Sequence, residues 1–246
     1  RTGNKENIPL GSTFVEVDVG KNEYEYIFEN PFDLIYHFAG QSSVEISYSD
    51  PIYDIETNVK STLILLKHVE KYCPKAHFIY ASSMSVYGGL DPMPKKETMS
   101  LDGENFYAIG KKASEEYMKI YSKKGLKTTA IRLFNIYGPG QNLANLSQGM
   151  VSIYVAQAIK NGKIVVKGSL KRTRDFVYIY DVINYLRKIE NNKKSFSKAI
   201  NLCSGEEFTV EVVVNHIRNV LNKNVEIFSS GSTPGDISRM VGDNSL

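Results

Sequence analysis

Phe78-Ile79-Tyr80-Ala81-Ser82-Ser83-Met84-Ser85-Val86-Tyr87-Gly88 is a short apolar run that ends in hydroxyls and then glycine. A run of that length bounded by turn residues reads as a buried strand, and its polar end as the carboxyl edge, where open α/β sheets carry their ligands. Phe32-Asp33-Leu34-Ile35-Tyr36-His37-Phe38-Ala39-Gly40 has the same form, and so does Ile131-Arg132-Leu133-Phe134-Asn135-Ile136-Tyr137-Gly138-Pro139-Gly140. Helical stretches separate the three. The alternation predicts an α/β fold with a parallel sheet and one ligand-bearing edge.

Between the first two runs, Ile52, Ile55, Val59, Leu63, Leu66 and Val69 recur every three or four residues, which marks a long helix with Asp50 and Pro51 as its start signals. Asn58 lies beside that stripe. Residues 105–124 predict a second long helix, with Phe106, Ala113, Tyr117 and Ile120 as its buried side and Gly125 as its stop. Residues 13–19 alternate apolar and polar side chains and predict a strand ending near Asp18, followed by a short helix at 24–29. Beyond Gly140, helices are expected at 147–160, 181–190 and 210–221, and strands at 164–167, 175–178 and 199–202.

Of sixteen tyrosines only Tyr107 has a lysine four positions later, Lys111. On a helix that offset stacks the two side chains on one face, where an ammonium can lower the pKa of a phenol. The spacing also fits an ordinary exposed pair on a helix surface. If this helix runs beneath the end of the Ser83 strand, Ser83, Tyr107 and Lys111 converge on one point.

The 246 residues are 42% hydrophobic and carry a net charge of +3, enough for one α/β domain with a smaller lobe. The charges are scattered, so no nucleic-acid stripe or membrane patch emerges, and no apolar run is long enough to span a bilayer. Cys73 and Cys203 are too few for a disulfide framework, and His37, His68, His77 and His216 show no ligand spacing, so no metal site is expected. A reducing cytoplasm is the expected compartment.

Taken in order, Phe14-Val15-Glu16-Val17-Asp18-Val19, His37-Phe38-Ala39-Gly40, Asn58, Ser82-Ser83, Tyr107 with Lys111, Arg174-Asp175-Phe176-Val177-Tyr178 and Thr233-Pro234-Gly235-Asp236 resemble an extended short-chain dehydrogenase/reductase, of the branch that epimerises, dehydrates or reduces nucleotide sugars. The resemblance implies a Rossmann-like, doubly wound parallel sheet with a small C-terminal substrate lobe, divided as 1–140 for the dinucleotide-binding part and 141–246 for mixed sheet elements and the lobe. Such folds open with a strand, a glycine-rich turn and a helix that takes the pyrophosphate. No Gly-x-x-Gly-x-x-Gly or Gly-x-Gly-x-x-Gly stands near Arg1, so the first strand, its turn and the second strand are expected to lie in a longer protein of about 300 residues or more.

By the same resemblance Ser83, Tyr107 and Lys111 are the catalytic residues, and the cofactor is NAD. Asp18 and Val19 would contact its adenine, Phe38, Ala39 and Gly40 its pyrophosphate and ribose, and Lys111 its nicotinamide ribose, with Tyr107 adjoining it. Asn58 would stabilise the loops on that side. Asn135 and Arg174 would serve the nucleoside diphosphate of the substrate, with Ser85 beside the sugar. Thr233 stands where the family often has a second arginine, and Arg239 is a candidate replacement. Dehydrating members have Asp-Glu and decarboxylating members a Glu after the catalytic hydroxyl; here Met84 and Ser85 occupy those positions, and Ser85 fits the epimerases. The reading is an NAD-dependent epimerase acting at C4 of a UDP-hexose. A nucleotide-4-keto-sugar reductase and a non-catalytic dinucleotide-sensing scaffold are the alternatives. Partnering is expected to be homodimeric, through the helices starting near Ile52 and Asn105.

Overall fold

The computed structural model describes residues 3–89, 92–222, 224–232 and 237–246. Thr233, Pro234, Gly235 and Asp236 lie outside the described residues. Residues 13–19 form no strand: Phe14 and Val17 are exposed, and no described strand lies alongside to take their backbone hydrogen bonds. The stretch ends in a turn in which Gly20 N donates to Asp18 Oδ1 (3.0 Å) and the Tyr24 hydroxyl donates to the Val19 carbonyl (3.1 Å).

β1 (Leu34–His37) leads through α1 (Val44–Ser49) to a long helix in three segments: α2 (Pro51–Ile55), a π-helical turn (Glu56–Lys60) and α3 (Ser61–Tyr72). Asp50 caps it by accepting from Tyr53 N at 3.0 Å, with Pro51 in the first turn, as its start signals predict. β2 (His77–Ser83), α4 (Phe106–Lys123) and β3 (Lys127–Leu133) follow, then β4 (Asn135–Tyr137), α5 (Met150–Asn161), β5 (Lys163–Lys167), β6 (Thr173–Arg174), β7 (Phe176–Tyr178), α6 (Ile179–Ile189), β8 (Lys198–Leu202), β9 (Phe208–Thr209), α7 (Val210–Leu221), β10 (Glu226–Ser230) and β11 (Arg239–Met240).

The main sheet has the order β1-β2-β3-β8, every pair parallel. Strand alternation divides its residues between two layers. Phe78, Tyr80 and Ala130 pack with Leu65, Leu66 and Val69 of α3 and Met118 of α4, while Ile79, Ile131 and Ile200 pack with Val182, Leu186 and Ile189 of α6. Helices therefore cover both faces, the doubly wound arrangement of an α/β fold. A third core unites Tyr154 and Ala158 of α5, Ile164 and Val166 of β5, and Val210, Val214 and Ile217 of α7. β10 pairs with β5; its exposed, serine-ended run carries too little apolar pattern to be read as a strand beforehand.

The buried side of α4 differs from the expected one. Phe106 and Ile120 are exposed and Ala113 and Tyr117 half-buried, whereas Tyr107, Lys111, Ser114, Glu115 and Met118 face inward. The polar stripe can be buried because each group finds a partner. Arg132 of β3 meets Glu115 in a two-point pair (Nε to Oε1 3.1 Å, Nη2 to Oε2 2.7 Å), and the Ser82 hydroxyl donates to Glu115 Oε1 at 2.5 Å. Arg132 also donates to the Tyr87 hydroxyl at 2.9 Å, which donates to Asn201 Oδ1 at 2.7 Å. Removing one partner of a buried pair strands the other charge. Glu115→Gln should therefore lower unfolding free energy by about 3–5 kcal/mol in urea titrations, and a loss below about 1 kcal/mol would contradict the pair's structural role.

Candidate active site

β2 ends at Ser83, where the chain turns into a single 3₁₀ turn, Met84–Tyr87; Ser83 caps that turn, its Oγ accepting from Ser85 N at 3.2 Å. The same Oγ lies 3.2 Å from Ser85 Oγ. α4 starts at the Asn105 cap, whose Oδ1 accepts from Ala108 N at 2.9 Å, and this start sets the phase that turns Tyr107 and Lys111 toward β2. Ser83 lies close enough to Tyr107 for its hydroxyl to pull the phenol pKa down. Lys111 Nζ donates to the Ala81 carbonyl at 2.8 Å and lies 4.7 Å from the Tyr80 ring centroid and 5.6 Å from that of Tyr107. Ser83, Ser85, Tyr107 and Lys111 thus meet at the carboxyl end of β2.

Burial governs their protonation. It pushes the Tyr107 phenol up to about 12, against a smaller downward pull from Ser83 and with Asp54 adding to the rise. It pushes the Lys111 ammonium down to about 8, while Asp54 and Glu115 pull it upward. Loss of solvent thus outweighs the nearby Lys111 cation, and the phenol is neutral. Burial also holds His37 neutral, its pKa pushed down to about 3, with its Nε2 3.1 Å from Thr62 Oγ1.

A second group of residues gathers beside β1. Phe38, Ala39 and Gly40 are exposed at its carboxyl end. Gly40 has φ +151°, and a Cβ there would stand 2.5 Å from Asn58 Oδ1, so only glycine lets the loop pass this side chain. Asn58 sits on the π-helical turn, its Nδ2 donating to the Gln41 carbonyl and to Asp54 Oδ1, each at 3.0 Å. The Asp18-Val19 turn lies against the same helix, with Asp18 exposed and Val19 half-buried: a Cβ on Gly20 would lie 3.2 Å from the Glu56 carbonyl. Asn58 Oδ1 and Asp54 Oδ2 are buried without a partner. Gln41 and Asp54, which carried no signal in the sequence, complete this group; they lie thirteen residues apart, and Gln41 Nε2 donates to Asp54 Oδ1 at 2.6 Å.

On the lobe side, Asn135 donates from Nδ2 to the Asp175 carbonyl at 2.9 Å and approaches Met84 Sδ at 3.6 Å. Arg174 is buried and donates to the Thr173 carbonyl at 2.7 Å. Arg239 forms a two-point pair with Glu207. A cavity of about 280 Å³ opens between Ser42-Ser43-Val44-Glu45, the start of α5 and β5, with Lys167 and Arg172 in its wall. The place of Arg172 in the cavity wall depends on packing across elements and leaves no local pattern in the sequence.

The model of the NAD dependent epimerase/dehydratase family matches residues 1–203, and the chain belongs to that family. It is 29% identical to a putative UDP-glucose 4-epimerase of Methanocaldococcus jannaschii, over 97% of this chain and 78% of that protein. It is 28% identical to UDP-glucuronic acid decarboxylase 3 of Arabidopsis thaliana, over 96% of this chain and 69% of that one. The structure of a UDP-glucose 4-epimerase from Thermotoga maritima, solved with UDP-glucose, superposes with a TM-score of 0.93 at 27% identity, covering 99% of this chain and 79% of the other.

The depressed Lys111 has a consequence for stability. Between pH 8 and 10 the unfolded lysine holds its proton while the folded one has lost it, so native stability gains as pH rises. Measured by thermal unfolding against Lys111→Met, the wild-type protein should gain by up to about 3 kcal/mol over that window. A difference independent of pH would show that Lys111 is not desolvated.

Proposed function

We propose that this chain is the catalytic part of an NAD-dependent epimerase that inverts C4 of a UDP-hexose. The observation that carries the reading is the meeting of Ser83, Tyr107 and Lys111 at one strand end, with no carboxylate at the adjoining Met84 or Ser85. Expelling water from C6 or carbon dioxide from C5 calls for an acid or base beside the sugar, and a thioether and an alcohol do not supply one. Proton movement at a single hydroxyl needs only what is present.

NAD, when bound, accepts and returns the hydride, and its positive ring favours the phenolate. The residues fit such a group: Phe38, Ala39 and Gly40 are exposed at the carboxyl end of β1, Gly40 passes close over Asn58, and Asn58 Oδ1 lies buried without a partner. Asp18 and Val19 would take the adenine, and Lys111 would hold the nicotinamide ribose. Tyr107 takes the proton from the substrate C4 hydroxyl and later returns it. Ser83 bonds the same oxygen and orients it, and Ser85, held against Ser83, borders the sugar. Asn135 and Arg174, with Lys167 and Arg172 in the neighbouring cavity, meet the nucleoside diphosphate, since guanidinium and ammonium groups match phosphate oxygens. Residues 141–246 contribute β8 and α6 to the main sheet and its cover and otherwise act as the lobe that holds the nucleotide while the sugar turns.

The exposed side of the long helices carries Ile52, Ile55, Phe106, Ile109 and Ile120, and Tyr48 stacks edge-on with Phe106 at 5.5 Å. A homodimer through this face would bury it, in keeping with the symmetric pairing common among such chains. No helix among the described residues is long and apolar enough to cross a membrane. We place the protein in the cytoplasm, in keeping with its two free cysteines.

With UDP-glucose or UDP-galactose and NAD, Tyr107→Phe should lower interconversion by about 10²–10⁴-fold while the NAD content of the purified protein is unchanged. Wild-type turnover in that variant would overturn the assignment. Net consumption of reduced cofactor by the wild-type protein would favour the reductase instead. For the dimer, Ile109→Glu should yield a monomer in sedimentation velocity, and an unchanged mass would reject this face as the contact.

A further inference from the structure

The buried charges around Lys111 do not cancel locally unless Asp54 is counted. Glu115 lies one turn farther along α4, and its carboxylate is already matched by the two-point contact with Arg132. His37 of β1 is neutral, and Tyr80 of β2, which faces Lys111 through its ring, is held in its protonated form by burial. Tyr107, on α4 itself, is likewise neutral in the unliganded site. Asp54 of α2 is fully buried, and its hydrogen-bond partners are the uncharged amides of Gln41 and Asn58, both on Oδ1. Its Oδ2 has no partner and points at α4: a Cβ on Gly110, the residue before Lys111, would lie 3.2 Å from it. Glycine at 110 thus leaves room for the carboxyl group to sit close against the helix that carries the site.

We propose that Asp54 is a positioning residue for the reaction, the buried counter-charge that keeps Lys111 an ammonium in the closed site. A buried lysine whose acceptor among the described residues is the Ala81 carbonyl would otherwise shed its proton, and a neutral amine cannot favour a phenolate. Gln41 and Asn58 hold the carboxylate in place and stabilise its charged form through Oδ1, leaving Oδ2 toward the lysine's helix. Burial raises the Asp54 pKa, and the two amides and Lys111 each oppose that rise. The inference rests on the reading of Tyr107 and Lys111 as catalytic, and it adds a residue that touches neither substrate nor cofactor.

Asp54→Asn keeps the shape and the two accepted bonds and removes the charge. Without it the Lys111 ammonium is less favoured and the Tyr107 phenolate more so, and both changes move ionisation to lower pH. The kcat–pH profile of the epimerase reaction should therefore shift acidward by about one pH unit, with kcat at pH 8.5 reduced about tenfold and KM little changed. A uniform loss of rate with the midpoints unmoved would mean a merely structural role and overturn the proposal, as would an alkaline shift. If Asp54→Asn does not yield folded protein, Asp54→Ser, smaller and still able to accept from Gln41 and Asn58, is measured in its place with the same expectation. Absence of epimerase activity in the wild-type protein would reject the underlying functional reading instead, so the two failures are distinct.

Discussion

α4 buries its polar side. A helix that carries both Phe106, Ile109 and Ile120 and Tyr107, Lys111, Ser114 and Glu115 would ordinarily turn the first set inward; here the second set lies against the sheet. Burying a charged or hydroxyl group without a partner costs more than an aliphatic contact gains, so the arrangement exists only because the sheet is built to receive it. Arg132 and Ser82 meet Glu115, the Ala81 carbonyl meets Lys111, and Ser114 donates to the Asn58 carbonyl at 3.0 Å. The pair between Glu115 and Arg132 sets the helix on β2 and β3, and the catalytic residues one and two turns earlier inherit that setting. Their chemistry depends on the same desolvation that makes the arrangement costly.

Two further devices tie the remaining parts to this centre. The π-helical turn at Glu56–Lys60 brings Asn58 inward, and Gly40 and Gly110 let a loop and a second helix approach closely from opposite sides. On the lobe side, the buried Asp175 carboxylate accepts from Ser204 N and Oγ, Gly205 N and Gly242 N, while its carbonyl accepts from Asn135. The residue next to Arg174 is thus an anchor between the start of β4 and the loops that follow β8 and β11. Cofactor edge, proton-transfer group and substrate edge are held by separate polar networks that share α4 and the strand ends.

Much of this was legible beforehand. The strand end at Ser83, the Asp50-Pro51 helix start and the offset of Tyr107 and Lys111 are local patterns, and local patterns survive folding when backbone geometry dictates them; the run 131–137, read as one strand, instead splits into β3, ending at Leu133, and β4, starting at Asn135 in a different sheet. The face of α4 was not legible, because hydrophobic periodicity identifies the apolar stripe without saying which surface will cover it. Residues 13–19 alternate as a strand does, yet alternation supplies only side-chain placement; the backbone also needs a neighbouring strand. Asp54, Gln41 and Arg172 act through partners distant in sequence, so nothing around them marks their roles. The proximity of a cation to Tyr107 can be read from spacing, whereas the depth of burial that raises its pKa cannot.

The central claim is that the inward face of α4 delivers one phenol to one substrate hydroxyl. A crystal structure of the protein with NAD and UDP-glucose tests it most directly, through the distance from the Tyr107 hydroxyl to the sugar C4 oxygen. The account requires hydrogen-bond reach, about 2.6–3.2 Å, with Ser83 on the same oxygen. A sugar whose C4 hydroxyl instead faces another side chain, with Tyr107 more than about 5 Å away and no water between, lies outside the reach that proton transfer demands and would contradict it.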